Sequence, residues 1–205
     1  MFIERSCLPF RQARKERKLP SVLSEEEVAA LLKAPTNLKH RCILMLIYSA
    51  GLRLGELLAL DLTDIDPHRV QVLIRGGKGK KDRISLLSPK LVGVLDTYIA
   101  EYRPKRHLFE GRTGGRYSEA SVQAVFHAAK DKAGISKPAT VQTLRHSFAT
   151  HLSEKGTDLR YIQTLLRAQF QQDNRNTCTE PVEVYTHVST KALGKIRSPL
   201  DDLDL

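Results

Sequence analysis

Apolar positions along this chain recur with two different periods, and the change of period divides it. Val28, Leu31 and Leu32 share one face of a helix, and Ser24 with Glu27 three residues on is a capping box that starts it. A second helix is predicted from Leu38 to Ala50, with Gly51 as its stop, and a short leucine-rich helix carrying Arg53 follows at once. Over residues 62–87 the period becomes that of strands. VQVLIRGGKGKKDRISLL reads as two β-prone runs around a Gly- and Lys-rich turn, a hairpin, and LTDID before it adds a third strand. Helices then resume. Ser88-Pro89 opens one that runs to Tyr102, Ser118 opens another that Gly134 closes, and residues 142–155 form a third closed by Gly156. Asp158 caps a fourth, which carries Leu159, Ile162, Leu165 and Leu166. Residues 167–184 are polar and aperiodic and read as loop; a short helix including Lys191 to Ile196 and an acidic tail end the chain. The predicted class is α+β: mostly helical, with one small antiparallel three-stranded sheet. Residues 1–20, basic and ending in Pro20, read as an interdomain linker, which leaves a domain over 21–205.

Composition adds a partner to this picture. With 205 residues, 41% of them hydrophobic, the chain can bury a core without staples. Its net charge of +10 calls for a polyanion, with nucleic acid first and an anionic membrane surface second, or else it is a solvated basic surface. Cys7, Cys42 and Cys178 are scattered and suggest neither a disulfide framework nor a zinc site, so a reducing, cytoplasmic setting is expected. The longest apolar stretch, CILMLIYSAGL, is too short for a bilayer span, and the N-terminus lacks the apolar segment of a signal peptide.

Three cations stand in unusual places. Arg53 lies among Leu52, Leu54, Leu57, Leu58 and Leu60; Arg145 is flanked by Leu144, Phe148 and Leu152; Lys78 sits between Gly77 and Gly79 at the hairpin tip. A buried guanidinium is costly unless an anion neutralises it. Glu56 is a local partner for Arg53, and an ordinary ion pair is one reading. The other is a phosphate, whose oxygens two guanidinium forks would grip while the lysine acts as proton donor or point charge. GGKGKK is not a nucleotide-binding P-loop. It is either a solvated basic tip or a ribbon for a DNA groove, with Arg75, Lys80, Lys81 and Arg83 touching phosphates.

Four motifs in order, GLRLGEL (51–57), GGKGKKDR (76–83), TLRHSFATHL (143–152) and VYTHVS (184–189), resemble those of the tyrosine recombinases, or phage-integrase family. The similarity runs over about residues 18–200. It implies the DNA-breaking-rejoining catalytic fold and site-specific recombination through a 3′-phosphotyrosine, without metal, nucleotide or other cofactor. By similarity Arg53 and Arg145 clamp the scissile phosphate, Lys78 protonates the leaving oxygen, Tyr185 is the nucleophile and Glu56 orients the arginine. The partners so implied are double-stranded DNA and three further copies in a tetramer, with residues 190–205 either docking on a neighbour or fraying as a tail. No membrane and no small-molecule substrate enter.

The chain departs from the family pattern at three places. Gln142 stands where a histidine is usual, Arg167-Ala168 replaces the usual Gly-His, and Ala168 to Tyr185 spans seventeen positions, more than usual. Glutamine donates a hydrogen bond to a phosphate oxygen but relays no proton near neutral pH. Two readings therefore stand: a strand-exchange enzyme with impaired activity, or a degenerate relative that binds DNA or a protomer without cutting. The chain also begins in the linker, so the N-terminal domain usual in the family is expected to be missing.

Overall fold

The computed structural model describes residues 21–75, 82–166 and 196–205. Seven α-helices are described: α1 (Glu25–Lys33), α2 (Leu38–Ala50), α3 (Leu54–Ala59), α4 (Pro89–Tyr102), α5 (Glu119–Lys132), α6 (Val141–Glu154) and α7 (Leu159–Leu166). A sheet of β1 (Ile65–Asp66), β2 (Gln71–Ile74) and β3 (Arg83–Leu86) interrupts them. It is antiparallel throughout in the order β1-β2-β3, with Val72 opposite both Ile65 and Ser85. No described helix is long and apolar enough to cross a membrane.

Local chemistry accounts for the helix ends. Ser24 Oγ accepts from the Glu27 N–H at 3.3 Å while Glu27 Oε2 accepts from the Ser24 N–H at 2.8 Å, the reciprocal box expected from sequence. Gly51 stops α2 in the left-handed region, at φ 59°. α2 is the hub: every residue from Cys42 to Ala50 is buried, and α1, α4, α5 and α6 pack around it. A helix apolar on all sides belongs in the centre of a domain, where it has no face to give to water. Tyr48 on α2 donates to or accepts from His151 Nδ1 on α6 at 2.8 Å, both side chains buried, so this tyrosine and this histidine are spent on the core.

Residues 196–205 depart from the reading of the tail as a frayed end. They do not fray: Leu200 and Leu203 lie in this domain's own core, at 0% and 3% exposure. The Ser198 hydroxyl donates to the Ser49 carbonyl at 3.1 Å, Lys90 Nζ to the Leu203 carbonyl at 2.7 Å, and Lys155 Nζ to Asp202 at 2.6 Å. The leucines supply the reason, and the tail's acidic residues find lysines elsewhere in the domain, Asp202 meeting Lys155 just past α6 and Asp204 meeting Lys33 at the end of α1. The short helix predicted from Lys191 lies almost wholly outside the described residues.

Candidate active site

The Gly51 turn sends the chain from α2 into α3 with Arg53 at the N-cap, its backbone extended. An N-cap side chain projects off the helix end, so Arg53 escapes the leucine face that surrounds it in sequence; its side chain is 35% exposed. Glu56, one turn into α3, reaches back. Its Oε2 accepts from the Arg53 N–H at 2.8 Å, and its Oε1 from the Arg53 guanidinium at 3.0 Å. The expectation that Glu56 pairs with Arg53 thus holds in both backbone and side chain.

Glu56 also gathers two arginines that are remote in sequence. Arg83, at the start of β3, donates to Oε2 at 2.7 Å. Arg145, in the middle of α6, has a terminal nitrogen 3.5 Å from the same oxygen. Arg145 is nearly buried, and its fork divides between two main-chain carbonyls: one nitrogen donates to Gly51 O and the other to Leu166 O at 2.7 Å. Arg53 and Arg145 are therefore brought together on one carboxylate. Three guanidiniums thus share one carboxylate in a patch that is largely out of water.

The protonation energetics follow. Burial first, then the neighbouring Arg53 and Arg83, push the Arg145 guanidinium down to about 9, against the pull of Glu56. A guanidinium in this state gains from any anion placed beside it. For Glu56, burial alone would raise the carboxyl, but the Arg53 N–H and the Arg83 and Arg145 guanidiniums hold it below its ordinary value of 4.5. A carboxyl depressed in the folded state stabilises fully above its unfolded value and loses that contribution as pH falls through the folded one. Urea midpoints measured from pH 7 to pH 3 should therefore fall below about pH 4.5, and Glu56→Gln should flatten that fall. An unchanged acid limb in the variant would deny Glu56 this role.

The remaining candidates fall in three groups. Gln142 is exposed on α6, one turn before Arg145. Arg75 is half-exposed but not idle: its Nε pairs with the buried Asp64 at 2.8 Å. Arg83 corrects the sequence reading. It was expected beside Arg75 as a phosphate-touching cation of the hairpin, yet its side chain is 3% exposed and turned onto Glu56. Alternation explains the error: in β3, Arg83 and Ser85 face inward and Ile84 outward, so Arg83 belongs to the strand's inner face and not to the ribbon's tip. Lys78, Lys80, Lys81, Ala168 and Tyr185 lie outside the described residues. His146 beside Arg145 is half-buried, and burial, then Arg145, lowers its pKa, which favours the neutral ring. Tyr48 and Tyr98 are locked in the core with their phenols pushed up by burial, so neither is a poised nucleophile.

A helical domain with a three-stranded insert and two remote arginines meeting on a glutamate has clear relatives. Residues 21–169 match the phage integrase family, and the chain belongs to it. Tyrosine recombinase XerD of Mycobacterium tuberculosis is 36% identical over 197 residues, covering 88% of this chain and 60% of its own length. Among solved structures, XerA recombinase superposes with a TM-score of 0.70 at 30% identity, over 75% of this chain and 58% of that one. XerH site-specific recombinase bound to its difH substrate gives 0.68 at 26% identity, over 75% of this chain and 49% of that one. The chain spans about half to three fifths of the length of the curated relatives it matches.

Proposed function

We propose that this domain cuts and rejoins DNA strands in site-specific recombination. The Tyr185 hydroxyl attacks a backbone phosphorus in line; the bond to the 5′ oxygen breaks, and a 3′-phosphotyrosine forms. Lys78 gives its proton to the departing oxygen, and the phenolic proton passes to water. Arg53 and Arg145 hold the non-bridging oxygens, where charge accumulates in the transition state, and Gln142 donates one more hydrogen bond. Because one phosphoester replaces another, the bond energy is kept for the reverse attack by a partner strand, and neither nucleotide nor metal is called for. Arg75, Lys80 and Lys81 serve the flanking phosphates. The DNA is double-stranded chromosomal or mobile-element DNA in the cytoplasm, and four copies act on paired sites. Residues 190–205 would be the docking segment, and residues 196–205 would then have to leave the core position they hold in their own domain.

The observation that carries this reading is the convergence of Arg53 and Arg145 on Glu56, from positions far apart in the chain. It is what a grip on a single phosphate requires, and family membership says which chemistry uses such a grip. Gln142 favours a second reading, a domain that holds DNA without cutting it. The test is a pool of nicked duplexes of randomised sequence, scored for protein–DNA adduct that survives denaturant. Wild type should form adduct, Tyr185→Phe none, and Arg145→Ala at least about 100-fold less. Adduct in Tyr185→Phe would refute the nucleophile. Adduct absent from wild type but present in Gln142→His would establish the non-cutting reading.

A further inference from the structure

Arg83 is the unexplained member of the cluster. The mechanism above does not use it, and its burial removes it from any phosphate. Its guanidinium spans two elements: one nitrogen donates to Glu56 Oε2 at 2.7 Å and the other to the Leu165 carbonyl. Arg145 does the same one residue further on, with Leu166 O at 2.7 Å and the same Glu56 oxygen at 3.5 Å. The last carbonyls of α7 are thus held by two guanidiniums that share one carboxylate oxygen.

Capping alone does not account for this. Helix-end carbonyls are satisfied by a glycine turn or by water, at far lower cost than two desolvated cations. What two arginines add is position. Three parts of the chain meet at Arg83: β3, which follows directly on the segment bearing Lys78; α3, which bears Glu56 behind Arg53; and the end of α7, from which the chain leads on to Tyr185. We propose that Arg83 is a positioning residue for strand cleavage, fixing the Glu56 carboxylate, the root of the lysine hairpin and the end of α7 relative to one another without touching DNA. The inference rests on the strand-transfer reading and names a device within the same site.

The experiment compares wild type, Arg83→Met and Arg83→Lys in two assays: single-turnover adduct formation at saturating nicked-duplex pool, and salt titration of binding to a mixed-sequence duplex. Arg83→Met should form adduct about 10- to 100-fold more slowly, the scale of a small misplacement of reacting groups, with affinity and salt slope as in wild type. Arg83→Lys should recover part of the rate, since an ammonium can still meet Glu56 but cannot also reach Leu165 O as a fork does. A salt slope reduced by about 0.9 would make Arg83 a phosphate contact and overturn the proposal. So would a lowered melting temperature with an adduct rate within about twofold of wild type, since that is a merely structural effect. If wild type itself forms no adduct, the strand-transfer reading fails, and hydrogen exchange decides the inference. Faster exchange in Arg83→Met confined to residues 54–59 and 159–166 supports it; unchanged protection there, or loss throughout the domain, overturns it.

Discussion

Glu56→Ala is expected to cost about 3–5 kcal/mol of folding stability, the range for removing one partner from a buried ion pair. The reason lies in what stays behind. Arg83 and Arg145 have side chains only 3% and 6% exposed, and the carboxylate 2.7 and 3.5 Å away is the anion they share. Without it, two buried guanidiniums lose the anion they share. Arg53, more exposed, can turn to solvent and contributes less to the loss. Denaturant midpoints at low ionic strength measure the effect. Inorganic phosphate should restore part of the stability in the variant more than it raises that of wild type, because a bound anion can take the place of the missing carboxylate. A Glu56→Ala chain within about 1 kcal/mol of wild type would mean that water reaches these arginines and that the site is not the charged pocket described.

Gly51→Ala should lose about 2–5 kcal/mol, through two additive terms. The position has φ +59°, where a side chain costs about 1–2 kcal/mol. A Cβ there would also stand 2.5 Å from Phe148 Cδ1, 2.7 Å from Phe148 Cε1 and 2.9 Å from Leu166 Cδ2, and overpacking of this kind costs about 1–3 kcal/mol. Both neighbours belong to the clamp's frame, Phe148 on α6 below Arg145 and Leu166 as the residue whose carbonyl Arg145 holds. The same substitution therefore reaches the site, and adduct formation should fall along with the melting temperature. Gly55→Ala is the control: it lies within α3 with nothing within 4 Å of its Cβ position, and alanine there should be neutral or gain about 0.5–1 kcal/mol. Equal effects at the two glycines would remove close packing as the explanation.

The candidate site was legible in part. Arg53, Glu56 and Arg145 were singled out because cations in leucine-rich helical runs conflict with their surroundings, and such conflicts mark places where a chain does more than fold. Arg83 was misplaced because a basic run at a hairpin looks uniform in sequence; only its alternation with Ser85 hinted that it turns inward. α6 begins at Val141, one residue before the sequence pattern places it, since Thr140 caps its helix through the Thr143 hydroxyl and offers no acidic partner to mark the boundary.

What the sequence by itself determined are the features that depend on neighbours within a turn or two. These are the Ser24–Glu27 box, the Gly51 stop, the Ser118 cap, the antiparallel sheet of three strands and the Arg53–Glu56 pair, each closed by contacts three or four residues apart or across a short hairpin. Tertiary structure alone decided that Glu56 would collect Arg83 from twenty-seven positions away and that Arg145 would bind the Gly51 carbonyl from ninety-four. It alone decided that the acidic tail would close its own domain's core. Pairings at that range are selected by the packing of α2 against its neighbours, which brings the partners within reach; the energy of each contact depends on a burial that no local window of residues contains.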